Sequence, residues 1–86
     1  MSRKDRISEV LTRKFQPTTL EVVDDSARHA GHAGASPEGE THFNVKIISP
    51  QFEGLSRVAM QREVMSALAD EFASGLHALS IKANYL

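Results

Sequence analysis

Four histidines, His29, His32, His42 and His77, carry most of the coordination chemistry open to this chain, because its 86 residues include no cysteine. Without thiols there is no disulfide, no thiolate zinc site and no thiol nucleophile, and cysteine usage leaves the redox compartment open. Soft-metal chemistry then rests on imidazole, or on sulfur that a partner supplies. His29 and His32 sit in the string HAGH. Two imidazoles three positions apart in a flexible segment can chelate a borderline ion, but a closed zinc site needs about four ligands. Taken alone, the pair reads as two solvated loop histidines. His42 opens an alternating segment, where a cross-strand hydrogen bond is the expected role. His77 stands between Gly75 and the last alternating segment and by itself reads as a structural histidine. There is no G-x-S-x-G, no H-E-x-x-H and no paired histidine and carboxylate set on a rigid element, so the chain is expected not to be an enzyme.

These residues must be positioned by a short series of elements. Ile7, Val10, Leu11 and Phe15 follow helical spacing, Pro17 stops the helix, Ser2 or Asp5 can cap its start, and Arg13 and Lys14 suit its negative end. Thr19 to Asp24 changes to period two, with Leu20 and Val22 on one face and Glu21 and Val23 on the other. Residues 25–40 contain three glycines, a proline and no large apolar side chain, which predicts a mobile loop, and loops of this length are often functional. Phe43, Val45 and Ile47 then alternate with His42, Asn44 and Lys46, as in a strand with one buried face. From Ser56 a second helix is expected to run to about Ala73. Its apolar stripe is formed by Val58, Met65, Leu68 and Phe72, with Val64, Ala67 and Ala69 beside it and Gly75 as the C-terminal cap. Leu79, Ile81 and Ala83 alternate in a last strand. The order α-β-β-α-β defines a single α+β domain over residues 1–86: a three-stranded mixed sheet with its helices packed on one face. The crossover makes the last strand parallel to the second. A core this small has no room for a large enclosed ligand pocket.

Composition narrows the function classes further. The longest apolar run is three residues, such as Val58-Ala59-Met60, against about twenty for a membrane span, so a soluble, cytoplasmic protein without a membrane partner is expected. Net charge is −1, but its distribution is uneven. Residues 1–14 hold Arg3, Lys4, Arg6, Arg13 and Lys14 against Asp5 and Glu9, a balance of +3. Residues 15–40 hold Glu21, Asp24, Asp25, Glu38 and Glu40 against Arg28, a balance of −4. No field here demands nucleic acid, which is normally bound through a basic face that displaces counterions.

Four strings, LEVVDDSARH, GETHFNVKIIS, FEGLSRV and HALSIKA, taken in this order and spacing, resemble the BolA family over nearly the whole chain. The resemblance implies an α-β-β-α-β fold similar to type II KH domains. It also implies pairing with a monothiol glutaredoxin through a shared [2Fe-2S] cluster, in iron-sulfur trafficking, maturation or iron sensing. In the family the histidine of the HALSI-type string is a cluster ligand candidate, which carries onto His77. The second ligand lies in the loop between the first two strands and best matches His29, with His32 as an extra candidate. The chemistry is consistent with that: two imidazoles can replace two thiolates on one iron and raise the potential, as in Rieske centres. This chain can supply nitrogens but no sulfur, so a glutaredoxin cysteine and glutathione must complete the ligand set. No cofactor is expected in the isolated chain, and a homodimer is a further arrangement open to it.

The chain also departs from the family. Many members carry an Arg-His pair in an RVQRHR-like start of the second helix, where this chain has Met60 and Gln61. Any docking or nucleic-acid contact made by that pair is weakened here. A nucleic-acid-binding transcriptional regulator is nevertheless the alternative function, on the KH-like fold. KH domains clamp the backbone through a GXXG loop, and the corresponding Phe52 to Arg57 segment has one glycine of the two. Gly31-His32-Ala33-Gly34 matches GXXG but lies between strands among acidic residues. Arg57, Arg62 and Lys82 are the candidate contacts, and weak affinity is expected.

Overall fold

The computed structural model describes residues 2–25 and 42–85. The loop expected over residues 25–40 therefore lies, apart from Asp25, outside the described residues, as do His29 and His32. Helix α1, Arg3–Phe15, starts on a reciprocal cap: the Asp5 amide donates to Ser2 Oγ at 3.1 Å, and the Ser2 amide donates to Asp5 Oδ2 at 3.4 Å. This satisfies two of the amides that a helix start leaves without partners. The helix ends at Gln16, in the left-handed region (φ 47°), because Pro17 disfavours right-handed helix at the residue before it. Ile7, Leu11 and Phe15 are buried and Val10 packs against them, as the spacing predicts.

Strands β1 (Thr19–Asp24), β2 (His42–Ile48) and β3 (Ala78–Asn84) form one sheet in the order β1-β2-β3. β1 is antiparallel to β2, with Val22 opposite Val45. β2 is parallel to β3, with His42 opposite Ala78 and Val45 opposite Ile81. One face carries Val22, Phe43, Val45 and Ile47, with Leu20, Leu79, Ile81 and Ala83 packed on them, and meets the helices. The other presents Glu21, Val23, Asn44, Lys46, Ser80 and Lys82, all exposed. The expected fold class is thus the observed one. Among the described residues, no helix is long and apolar enough to cross a membrane.

Three details of the helical part differ from the sequence reading. A 3₁₀ turn, Pro50–Phe52, follows β2 and places Phe52 against Phe15, with ring centres 4.9 Å apart. Ser49, fully buried, fixes this corner: its hydroxyl donates to the Phe15 carbonyl at 2.6 Å and accepts from the Gln51 amide at 3.1 Å. The expected single helix to Ala73 is broken at Leu68 into α2 (Arg57–Ala67) and α3 (Ala69–Ala73). The stripe also shifts. Met60, Val64, Leu68 and Glu71 are buried, whereas Val58 and Met65 are 57% and 45% exposed. Apolar residues lie all round α2, so helical spacing alone admits either stripe. The buried set is the one that lets Glu71 reach arginines of α1. Met60, one of the two departures from the family pattern, is core packing here.

Candidate functional site

The local construction of the site begins at the end of α3. The Leu76 amide donates to the Glu71 carbonyl at 2.8 Å, and Gly75 between them takes a φ of 128°, which side chains rarely tolerate. A Cβ on Gly75 would also lie 3.1 Å from Arg3 Nη2. Arg3 is folded against this turn: it donates to the Glu71 carbonyl at 3.1 Å, to Glu71 Oε1 at 3.0 Å and to Ser74 Oγ at 2.9 Å. Arg6 Nε adds a second ion pair to Glu71 Oε2 at 3.0 Å. Buried Leu76 then anchors the chain one residue before His77, which is exposed and leads directly into β3.

The parallel register sets the start of β2 beside the start of β3, and this brings His42 next to His77, with ring centres 5.5 Å apart and planes inclined at 44°. The end of β1 arrives at the same sheet end. The Asp25 amide donates to the His42 carbonyl at 2.8 Å, and Asp25 Oδ2 accepts from Asn44 Nδ2 at 3.2 Å. Asp25, His42, Asn44 and Ala78 are among the residues lining a shallow depression there. The segment that carries His29 and His32 leaves the sheet at Asp25 and returns at His42, so the chain attaches both of those candidates to the end that holds His77.

His42 is the functional candidate that sequence reasoning missed. Its signal was available in part, since one histidine opens a strand and another immediately precedes the strand expected to be parallel to it, which brings them together once the register is known. As for donor chemistry, an exposed imidazole on a fixed strand start, with a second imidazole beside it and no cysteine in the chain, suits an iron site in which this protein contributes nitrogen and another molecule contributes sulfur. His77 is the described residue that could hold such a group.

The alternative contacts fall elsewhere. Arg57, Gln61 and Lys82, with Ile81 and Ala83, line an open groove of about 320 Å³ between α2 and β3. Arg62 is exposed on α2 and is not among the described residues lining it. His77 immediately precedes β3 and Lys82 is five residues further on, about 16 Å at the usual strand rise, so the two candidate sites are well separated along the chain's last strand.

Comparison with known proteins gives the class. Residues 11–85 match the family model described as BolA-like protein, and the chain belongs to the BolA family. SufE-like protein 1, chloroplastic/mitochondrial, of Arabidopsis thaliana is 50% identical over 95% of this chain and 23% of its own length. The solved BolA domain of SufE1 from the same plant covers 99% of this chain and 93% of that domain, at 48% identity and a TM-score of 0.88. Protein BOLA1, chloroplastic, of the same organism is 46% identical over 93% of this chain and 51% of its own length. The chain thus spans about half, or less, of these two relatives. The DNA-binding transcriptional regulator BolA of Escherichia coli is 41% identical over 94% of this chain and 73% of its own length.

Proposed function

We propose that the protein is a non-enzymatic accessory protein that pairs with a monothiol glutaredoxin to share a [2Fe-2S] cluster, in iron-sulfur trafficking, maturation or iron sensing. One observation carries the reading: an exposed imidazole, His77, held on a fixed sheet end in a chain that has no cysteine. His77 supplies one nitrogen. The segment attached at Asp25 supplies the other, through His29 in the family register or His32 in its place. A glutaredoxin cysteine and glutathione complete the four terminal ligands. When bound, the cluster provides an electron-accepting centre whose potential is raised by nitrogen ligation. The chain's own part is positioning: burial of Leu76 and the pairing of β3 hold His77 at the surface, where a partner can approach it.

The test is to mix the protein with a monothiol glutaredoxin, iron, sulfide and glutathione, and to record visible absorption and circular dichroism. His77→Ala should change the mixed-complex spectrum and make the cluster more labile while leaving the fold intact. His29→Ala should weaken the cluster more than His32→Ala, and the double substitution more than either. A spectrum indifferent to His77→Ala overturns the reading.

The groove formed by Arg57, Gln61 and Lys82, together with the name of the Escherichia coli relative, favours nucleic-acid binding as a second reading. A net charge of −1 gives it a small electrostatic contribution. Anisotropy titrations at about 150 mM salt, where the Debye length is about 8 Å, are expected to show no submicromolar binding. Submicromolar affinity abolished by Arg57→Ala and Lys82→Ala would put this reading first.

A further inference from the structure

The cluster reading uses His77 and a histidine of the 26–41 segment, and leaves His42 without a role. We propose that His42 and His77 form a two-imidazole site that takes a single zinc ion in the free protein, before any partner is bound. The proposal concerns the isolated chain, so it stands or falls separately from the glutaredoxin pairing.

Geometry is the first support. An ion held about 2.0–2.1 Å from one nitrogen of each of two imidazoles lies about 3 Å from each ring centre, so two rings on a tetrahedral ion have centres about 5 Å apart. The observed separation is 5.5 Å, with the planes inclined rather than stacked face to face. Small side-chain rotations close that difference, and His77, being exposed, is able to make them.

Rigidity is the second. His42 is the first residue of β2, and His77 immediately precedes β3; the parallel register between the strands fixes the distance between their backbones. Ligands on fixed elements lose little conformational freedom on binding, unlike ligands that must be gathered from a loop. Charge and donor type are the third support. Asp24 ends β1 at the same sheet end and Asp25 lines the same depression as His42, which places carboxylates near the pair. Imidazole is a borderline donor suited to zinc. Among the described residues no third histidine or carboxylate joins the pair as a ligand cluster, and the proposed site leaves its remaining positions to water. Such a site is open and exchangeable, not a closed structural centre.

The experiment is a titration of the full chain, labelled with ¹⁵N, with zinc sulfate, following the imidazole nitrogens by long-range ¹H–¹⁵N correlation. Cobalt(II) in a parallel series provides a visible spectrum. Saturation at one equivalent is expected, with His42 and His77 moving together. His42→Ala and His77→Ala should each weaken binding at least about tenfold, the lower end of the loss seen when even the supporting shell of a metal site is removed. The His29→Ala/His32→Ala double variant should bind within about twofold of the parent, since a substitution outside a site leaves its ligand set intact. Backbone amide spectra check that each variant is folded, and if His42→Ala is not, exposed His77→Ala still carries the test. Zinc binding unchanged in His77→Ala, binding lost in the loop double variant, or no saturation at millimolar zinc would each overturn the proposal.

Discussion

Two clusters of ionisable side chains stand either side of the turn that enters β3, and they differ in almost every physical respect. Arg3, Arg6 and Glu71 join residues more than sixty positions apart, with the Glu71 side chain only 10% exposed and held by both guanidinium groups. His42, at the start of β2, and His77, just before β3, lie side by side, and His77 faces solvent. In the first cluster each group is consumed by its neighbours. In the second, the backbone is fixed and the His77 imidazole is left at the surface. The lesson is a division of labour within a few residues: Arg3 and Glu71 hold the Ser74 and Gly75 turn, and that turn delivers His77 to a defined place.

The comparison can be broken most forcefully at Glu71. Removing one partner of a buried pair leaves uncompensated charge and typically costs about 3–5 kcal/mol; Arg6 is partly solvated, so Glu71→Ala is expected near the lower end, about 3 kcal/mol. For a domain of this size that lowers the melting temperature by more than about 10 °C, measured by circular dichroism. Glu71→Gln, which keeps an acceptor for both arginines, should lose less. A loss under about 0.5 kcal/mol for Glu71→Ala would place the cluster among ordinary surface pairs.

A smaller effect is expected at Gly75. Gly75→Ala forces a side chain into a positive φ and against Arg3 Nη2, and should cost about 1–2 kcal/mol in urea denaturation. If the turn positions His77, the same variant should also shift the His77 imidazole signals, and unchanged signals would separate the turn from the site. Met65→Gln should change stability by no more than about 0.5 kcal/mol, because the side chain is exposed; a loss of about 2 kcal/mol or more would restore the stripe of Val58, Met65 and Phe72 as core. The smallest stability change belongs to His77→Ala, below about 0.5 kcal/mol by the same denaturation measurement, although this substitution should have the largest effect on the cluster spectrum. A His77→Ala variant that unfolds readily would make this histidine part of the scaffold.

Much of the fold was legible from periodicity. Ile7, Leu11 and Phe15 on one stripe and Phe43, Val45 and Ile47 on one sheet face are strong patterns, because each element buries one side and solvates the other. The second helix was less legible. Val58, Met60, Val64, Met65 and Leu68 are distributed round α2, so the sequence did not say which side meets the sheet, and the break at Leu68 carries no proline or glycine to announce it. His77 was singled out by its string, whereas His42 was assigned to strand structure.

By itself, the sequence determined what this protein has to work with: imidazoles without thiolates, a nearly balanced charge, the order of elements and the faces of the strands. These follow from residue types and from spacings of a few positions, where local geometry is enough. Only the tertiary structure decided which residues distant in the chain meet. The placing of His42 against His77 depends on the β2 and β3 register, and the capture of Glu71 by Arg3 and Arg6 depends on how α3 packs on α1. Such contacts are set by the joint packing of all the elements, which no local spacing encodes.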